Sequence, residues 1–374
     1  YHKRAREYLI MATTNSEKKQ AEKAAVANVS DVTEAMGTPT SFRIEMLSAI
    51  LRRDVRELPM LHPMILRATK SNKGLDLSLP GVTKTIVHTA GGKVYSVCWM
   101  STSKVCCVSQ DGKCAVTDLE TKAKEIYLAD TSWLMTCAAS PDGKAVAWGG
   151  LDNVVTVTTK IEGRGKDVHA HEGHEGYVSD IKFLSNRKLL SSSGDNTIME
   201  FDLVDKKRVR TFKGHVGDVQ SIAIDLERKR FITGACDTRV KVWDLDSGSC
   251  TMTLPKISVS DVNSVAVSEN GCIAAGNDSG EVIVWDANCE DSTVLKSTTP
   301  AGICTCVAIS QDGSHVYGGF EENVLIAWEV ESGKQTMEMK FTRRVSSIAA
   351  SPDGEKLAIG SWSGEVIVLS TGLS

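Results

Sequence analysis

The sequence lacks any long apolar run, and its charges are nearly balanced. No stretch approaches the roughly 18 apolar residues of a membrane-spanning helix, and no basic segment followed by an apolar one opens the chain as a secretory signal would. The formal net charge of -4 over 374 residues provides no broad cationic surface for a nucleic acid. These absences favour a cytoplasmic protein that reaches a membrane only through its partners.

Metal-ligand spacing and catalytic signatures are also missing. The 11 cysteines include Cys106-Cys107 and the pair Cys304 and Cys306, neither of which has the two-residue gap of a zinc knuckle. We therefore expect reduced, buried thiols. The chain contains no cleft signature of paired carboxylates, no glycine-rich phosphate loop and no Ser-His-Asp string. The sequence thus predicts no enzymatic activity, no catalytic residue, no metal and no cofactor.

What the sequence does contain is a repeat of about 42 residues, the period of WD40 units. Dipeptides that end alternating runs of β-forming residues mark it, and their second members lie 42, 42 and 43 residues apart. Extrapolation by the same period adds three further units. The seven markers are Thr117-Asp118, Thr159-Lys160, Phe201-Asp202, Trp243-Asp244, Trp285-Asp286, Trp328-Glu329 and Leu369-Ser370. We predict an all-β, seven-bladed WD40 β-propeller over residues 81–374.

Turn residues occur at regular places within the repeats. Glycine-containing turns separate the first and second strands of several units, for example Ser140-Pro-Asp-Gly and Ser351-Pro-Asp-Gly. A second turn lies six residues before the tryptophan position and carries an aspartate in the first four repeats, namely Asp111, Asp152, Asp195 and Asp237. These turns predict antiparallel four-stranded units.

A set of His, Ser or Thr, Asp and Trp residues looks catalytic but is predicted to be structural. Only the fourth repeat has the full tetrad of a WD unit, which is His215, Thr233, Asp237 and Trp243. The third repeat has His174, Ser191 and Asp195 with Phe201 in place of tryptophan. Buried polar residues of this kind satisfy one another's hydrogen bonds, and we therefore interpret them as part of the fold.

The ring needs a closing strand, because the last repeat stops after its third strand. The segment Val82–His88 is apolar and β-branched, and it lies where the missing outer strand is needed. Pairing the two ends would remove the exposed sheet edges. We expect this segment to complete the seventh blade.

Residues 1–80 do not follow the repeat and are predicted to form a helical arm and linker. Ala25, Val29, Val32 and Met36 are spaced like a short coiled-coil seam within 14–36. A second amphipathic segment covers 41–58, and Met60–Pro80 has little periodicity. Two alternatives remain open for the helices, since they can pack on the propeller itself or clasp a small helical protein.

Several strings resemble the heterotrimeric G-protein β subunits specifically and go beyond a general WD pattern. They include Thr131-Ser-Trp-Leu-Met-Thr-Cys137, Trp148-Gly-Gly-Leu-Asp-Asn153, Gly173-His-Glu-Gly-Tyr177 and Gly360-Ser-Trp362, in order and at similar spacing from residue 93 to the end. The resemblance implies a non-catalytic partner of a GDP-bound Gα subunit, a prenylated Gγ subunit and downstream effectors. It also implies a heterotrimer in transmembrane-receptor signal transduction, at the inner face of the plasma membrane.

The resemblance assigns contact residues at positions that match the family. The predicted surface for Gα and effectors comprises Lys93, Tyr95, Trp133, Met135, Leu151, Asn153, Tyr177, Asp218, Gln220, Asp261, Asn263, Asp278 and Trp362. The predicted Gγ contacts are Ala25, Val29, Val32 and Met36. A single tryptophan such as Trp133 is more often part of a core, but large aromatic residues at equivalent loop positions are typical of a protein-binding hot spot.

The chain also departs from the family. Gln220 stands where the family's surface has methionine, Phe341 and Leu369 replace the histidine and tryptophan of the seventh repeat, and residues 1–88 match poorly. A second interpretation is a divergent WD-repeat scaffold of another multiprotein complex, such as a ribosomal, ciliary or trafficking assembly. Retention of most of the contact residues favours the G-protein β subunit, because a scaffold needs only the blades.

Overall fold

The computed structural model describes residues 82–128, 133–158, 168–255 and 259–371. The predicted arm over 1–80, the four Gγ contacts and the marker Thr159-Lys160 lie outside these ranges. Within them the chain forms seven four-stranded antiparallel sheets, which are the blades of a propeller. The predicted fold class is therefore confirmed for the propeller. No helix in the described ranges is long and apolar enough to cross a membrane.

The blades follow one another along the chain, each running from an inner to an outer strand. Blade 1 comprises β2 (Val94–Trp99), β3 (Lys104–Ser109), β4 (Lys113–Asp118) and β5 (Lys124–Leu128). Blade 2 comprises β6 (Leu134–Ala139), β7 (Val146–Gly150), β8 (Val155–Thr158) and β9 (Val168–His171). Blade 3 comprises β10 (Val178–Phe183), β11 (Lys188–Ser193), β12 (Thr197–Asp202) and β13 (Lys207–Lys213).

The next three blades repeat this plan. Blade 4 comprises β14 (Val219–Asp225), β15 (Arg230–Ala235), β16 (Val240–Asp244) and β17 (Cys250–Thr253). Blade 5 comprises β18 (Val262–Val267), β19 (Ile273–Asn277), β20 (Val282–Trp285) and β21 (Ser292–Leu295). Blade 6 comprises β22 (Cys304–Ile309), β23 (His315–Phe320), β24 (Val324–Glu329) and β25 (Gln335–Lys340).

The seventh blade joins the two ends of the described chain. Its inner three strands are β26 (Val345–Ala350), β27 (Lys356–Ser361) and β28 (Glu365–Thr371), and its outer strand is β1 (Val82–Thr89). Strand β1 pairs antiparallel with β28 from Val82 opposite Thr371 to Thr89 opposite Glu365, with one irregularity after Ile86. The predicted closing strand is confirmed, and the pairing covers the edge that β28 would otherwise expose.

The core consists of apolar layers between neighbouring blades. Val94, Val97 and Trp99 of β2 pack with Ala358, Val366 and Val368 of blade 7, and equivalent layers lie between the other blades. The second strands are buried along most or all of their length, and glycines let the next blade approach closely. A Cβ added at Gly360 would lie 2.8 Å from a methyl carbon of Val94, so a larger residue there would push the blades apart.

The predicted tetrad of the fourth blade forms one continuous hydrogen-bonded set. His215 Nδ1 lies 2.7 Å from Asp237 Oδ2, and its Nε2 lies 2.7 Å from the Thr233 hydroxyl. The indole Nε1 of Trp243 donates to the same hydroxyl at 2.9 Å. Thr233 therefore satisfies two buried side chains at once, which links β15 to β16 and to the loop that carries His215.

The third blade keeps part of this set. His174 contacts Asp195 Oδ2 at 2.8 Å and Ser191 Oγ at 2.7 Å, while Phe201 lies beside its ring. Only 1% of the His174 side chain is exposed. A substrate could not reach this Ser-His-Asp group, which supports its structural role.

Candidate functional site

One backbone contact recurs in all seven blades and defines equivalent surface positions. In each blade, the residue immediately before the inner strand accepts a hydrogen bond through its backbone carbonyl. The donor is a backbone amide of the turn between the second and third strands. The pairs, amide first, are Gln110 with Lys93 (2.8 Å), Leu151 with Trp133 (3.2 Å), Gly194 with Tyr177 (3.0 Å), Cys236 with Asp218 (2.9 Å), Asp278 with Asp261 (3.0 Å), Glu321 with Ile303 (3.0 Å) and Trp362 with Arg344 (3.0 Å). We call these fourteen positions the entry rim.

The entry rim brings together most of the predicted contact residues. In an antiparallel blade the inner strand begins where the second strand ends, so all rim positions lie at the same edge of their sheets. Eight predicted residues occupy these positions, namely Lys93, Trp133, Leu151, Tyr177, Asp218, Asp261, Asp278 and Trp362. The structure thus gathers on one rim residues that are far apart in sequence.

Four more predicted residues relate to the rim by a fixed offset. Tyr95, Met135, Gln220 and Asn263 each lie two residues after a rim position. At this offset Asn263, Ser179, Thr305 and Ser346 donate a side-chain hydrogen bond to a backbone carbonyl of the next blade. Blades 1, 2 and 4 instead carry the large side chains of Tyr95, Met135 and Gln220, for which the structure shows no such bond. Hydrogen bonds at this offset therefore link a blade to the next one only where the side chain is small, which is the case in blades 3, 5, 6 and 7.

Asn153 has a conformational explanation. Its φ is 66°, and the equivalent residue in each of the other six blades also has a positive φ. These residues are Gly112, Asn196, Thr238, Gly280, Asn323 and Gly364. Because glycine and asparagine tolerate this left-handed conformation best, the turn itself accounts for Asn153.

Blades 7, 1 and 2 form a cationic aromatic cluster on the rim. The ring of Tyr95 stacks on Trp133 with centroids 6.0 Å apart and meets Trp362 edge-on at 6.3 Å. Lys93 Nζ lies 3.9 Å from the centre of a Trp362 ring, and the Arg344 guanidinium carbon lies 4.6 Å from it. The cluster presents an apolar platform flanked by two positive charges.

Exposure in this cluster distinguishes Trp133 from a core residue. Its side chain is 38% exposed, and the neighbouring Leu151 is 49% exposed. The core interpretation of Trp133 is therefore wrong, because a core tryptophan such as Trp243 is only 1% exposed. Arg344 is absent from the predicted set, although its position is equivalent to that of Lys93 and the repeat register alone would find it.

Blades 3, 4 and 5 form a polar arc next to the cluster. The Tyr177 hydroxyl donates to Asp218 Oδ2 at 2.8 Å, and Gln220 Nε2 donates to that hydroxyl at 2.9 Å and to Cys236 Sγ at 3.2 Å. Burial, with the acceptor Asp218 beside it, raises the pKa of Tyr177 to about 12. The ring of Tyr177 is thus held neutral and fixed by its two neighbours.

The rest of the arc is held by amide contacts. Asn263 Nδ2 donates to Asp278 Oδ1 at 2.7 Å and to the carbonyl of Cys304 at 3.0 Å. Cys236 is a rim residue outside the predicted set, and burial raises the pKa of its thiol to about 11. Hydrogen bonds thus set the side-chain positions in this half of the rim before any partner binds.

Comparisons with known proteins agree with this geometry. The family model described as "WD domain, G-beta repeat" matches residues 165–202, 206–244 and 248–286. The solved WD40 β-propeller domain of Doa1 superposes with a TM-score of 0.69 at 18% identity, over 78% of this chain and 98% of that one. The fold and the matched repeats thus define a WD-repeat β-propeller.

Similarity to curated proteins is more specific. The guanine nucleotide-binding protein subunit beta of Zea mays is 27% identical over 90% of this chain and 96% of its own length. The subunit beta-1 of Nicotiana tabacum is 30% identical over 72% and 78%, and the Saccharomyces cerevisiae subunit beta is 28% identical over 75% and 78%. The chain belongs to the G-protein β-subunit family, of which it is a divergent member.

Proposed function

We propose that the protein is a G-protein β subunit that binds a GDP-bound Gα subunit, and effectors in its place, through the entry rim. The observation that carries this proposal is the cationic aromatic cluster of Lys93, Tyr95, Trp133, Trp362 and Arg344. Partly exposed aromatic rings with neighbouring positive charges are the side chains that dominate protein-binding energy. The curated relatives are named as β subunits of guanine nucleotide-binding proteins, which supports a role within such a complex.

The fixed geometry of the rim suits a partner that binds and leaves repeatedly. Tyr95 is held between Trp133 and Trp362, and Tyr177 is held by Asp218 and Gln220. Side chains that are ordered before binding lose little entropy on binding. The same platform would therefore bind an effector once Gα has left. Gα and effectors would then compete for one surface.

The proposal includes a Gγ subunit and a place in the cell. Residues 1–80, with Ala25, Val29, Val32 and Met36, are proposed to bind Gγ through a coiled-coil seam. A prenylated Gγ would hold the complex at the inner face of the plasma membrane, where it would couple to transmembrane receptors. The protein itself would remain cytoplasmic.

A WD-repeat scaffold of another complex is the second candidate, and Gln220 favours it. An amide group in the middle of the rim, tied to Tyr177 and Cys236, replaces the apolar contact that methionine makes in the family. A partner with a polar group opposite Gln220 would use this difference. The test below distinguishes the two candidates.

Co-purification with candidate Gα and Gγ subunits tests the proposal. We expect capture of Gα loaded with GDP and loss of capture when Gα is loaded with a non-hydrolysable GTP analogue. Trp133→Ala and Trp362→Ala should each weaken capture by about 2 kcal/mol or more, roughly thirtyfold, because hot-spot aromatics carry energies of this size.

A matched pair of leucines controls for general surface effects. Leu151 is 49% exposed on the entry rim, whereas Leu226 is 55% exposed in the turn between the first and second strands of blade 4, at the other edge of the sheets. Leu151→Ala should weaken Gα capture and Leu226→Ala should leave it unchanged. Capture that is equal in all four variants would favour the scaffold instead.

A further inference from the structure

Four cysteine side chains meet in the layer between blades 1 and 2. The Sγ atoms of Cys98, Cys106 and Cys137 all lie within 4.8 Å of one another. Cys114 Sγ lies 3.4 Å from Cys106 Sγ. All 11 cysteines of the chain fall in the described ranges and are free thiols, but the predicted burial holds for only seven of them, since Cys98, Cys236 and Cys272 are partly exposed and Cys250 is exposed. The cluster is assembled by three strands of blade 1 and the inner strand of blade 2.

The other blades show that cysteine is not what the fold requires at these places. The rim register puts alanine at the position of Cys98 in five of the other six blades, with Lys182 in the sixth. It puts valine, leucine or isoleucine at the positions of Cys114 and Cys137 in all six. Branched aliphatic residues bury more apolar surface than cysteine does. Cys114 and Cys137 both stand where the other blades have such residues, in a single layer, and this joint replacement points to a role for sulfur.

We propose that Cys98, Cys106 and Cys137 form a binding site for one thiophilic cation of the Zn(II) type. A bond of about 2.3 Å to each of three thiolates requires sulfur atoms about 4 Å apart, so the observed triangle needs only a small contraction. Soft thiolate ligands select such ions over Mg(II) or Ca(II). Cys98 is the partly exposed member of the three.

The sequence spacing predicts no such site, because the ligands come from separate strands. Cys98 lies directly opposite Cys106 in the pairing of β2 with β3, whereas Cys137 reaches the pair from β6 of blade 2. Blade packing thus creates the triangle, and a bound ion would cross-link blade 1 to blade 2. Trp133 precedes β6 and Tyr95 lies on β2, so the cross-link would lie beneath the aromatic cluster.

Proton balance makes the site sensitive to pH. Each thiol gives up its proton when it binds, so Zn(II) and three thiols form a tris-thiolate complex of charge -1 and release three protons to the solvent. No electron transfer is involved. Zinc uptake in a weakly buffered solution should therefore acidify it, and affinity should fall steeply as pH decreases.

The test uses the full chain, purified reduced and free of metal. Zn(II) is added, excess is removed by gel filtration, and retained zinc is measured by mass spectrometry. We expect about one zinc per chain for the unchanged protein. Cd(II) should give the ultraviolet charge-transfer band of metal-thiolate bonds.

Two variants remove ligands in ways the fold already tolerates. Cys98→Ala and Cys137→Val introduce residues that other blades carry at the same positions, and retention should drop roughly tenfold or more in each. Cys107→Ala is the matched control, because Cys107 neighbours Cys106 in sequence but packs in the layer toward blade 7. It should retain zinc like the unchanged chain, and a thermal melt checks that each variant folds.

The expected pattern has a second readout in stability. Zinc should raise the melting temperature of the unchanged chain and of Cys107→Ala, but not that of Cys98→Ala. Zinc retention in Cys98→Ala and Cys137→Val equal to that of the unchanged chain, or no retention by the reduced unchanged chain, would overturn the proposal. Neither result bears on Gα binding, which the rim variants test separately.

Discussion

The ring of Tyr95 stacks on Trp133 across the boundary between blades 1 and 2, with centroids 6.0 Å apart. The two residues belong to different repeats. Trp133 is itself a rim position, and Tyr95 lies two residues after the rim position Lys93. Trp362 of blade 7 meets the same tyrosine edge-on. Three blades thus contribute to one aromatic surface.

Arg344 should contribute to partner binding although the family resemblance does not assign it. Its guanidinium lies 4.6 Å from the Trp362 ring and 3.6 Å from Glu321. Arg344→Met keeps the length of the side chain but removes the charge, and it should weaken Gα capture by about 1 kcal/mol, roughly fivefold. Arg208→Met, on the exposed outer strand of blade 3, should have no effect. Surface plasmon resonance measures both, and equal affinities would contradict a role for Arg344.

The hydroxyl of Tyr177 should matter for stability. Tyr177→Phe removes the partner of both Asp218 and Gln220, and we expect a loss of about 1 to 2 kcal/mol in the free energy of unfolding. Tyr95→Phe is the matched control, since Tyr95 is held by ring contacts. Urea denaturation compares the two variants. A Tyr177→Phe variant as stable as Tyr95→Phe would show that the hydrogen bonds of this hydroxyl add nothing.

The fifth blade should gain stability from one hydroxyl. Trp285 Nε1 is buried with no hydrogen-bond partner among the described residues, and Ala275 stands where the fourth blade has Thr233. Ala275→Thr adds an acceptor beside a small cavity that Ala275 and Trp285 both line. We expect a gain of about 1 kcal/mol in the free energy of unfolding.

The reverse change in the fourth blade gives the contrast. Thr233→Val keeps the shape but removes the hydroxyl that His215 and Trp243 share, and it should cost about 2 to 3 kcal/mol. Thermal melts of both variants measure the two changes in stability. Loss of stability in Ala275→Thr would indicate that the site has no room for the extra atoms.

Stability should fall as the pH drops through the range of histidine titration. Burial lowers the pKa of His174 below its ordinary value of 6.5, and the bond to Asp195 offsets this only in part. The unfolded chain therefore binds a proton at a higher pH than the folded chain does. Below about pH 6.5 protonation favours the unfolded state, so stability decreases with falling pH until the lowered folded pKa is passed.

His174→Gln isolates this contribution. His88 and His171 also have pKa values lowered by burial and act in the same direction, so the unchanged chain shows their sum. The variant should lose less stability than the unchanged chain between about pH 7.5 and about pH 5.5. Melting temperatures across this range measure the difference. Parallel curves for the two proteins would assign the pH dependence to other groups.

The repeat carries most of the fold in local form. The spacing from Phe201-Asp202 to Trp328-Glu329 predicts the number of blades, and the β-branched run at Val82–His88 predicts the closing strand, which pairs with β28. Both signals can be read along the sequence without knowledge of any contact between blades. The same register also places the predicted contact residues at equivalent positions.

Contacts between side chains of different blades could not be predicted from the sequence. The sequence predicts Tyr95, Trp133 and Trp362 as separate contact residues but not that their rings touch, and it predicts scattered thiols where Cys98, Cys106 and Cys137 converge. The family resemblance does not assign Arg344 or Cys236, although the repeat register places both of them at rim positions. Sequence by itself determined the propeller, its closure and the residues available for binding, because period and turn chemistry are local. Only the tertiary structure decided which of these residues act together, because ring closure places distant repeats side by side.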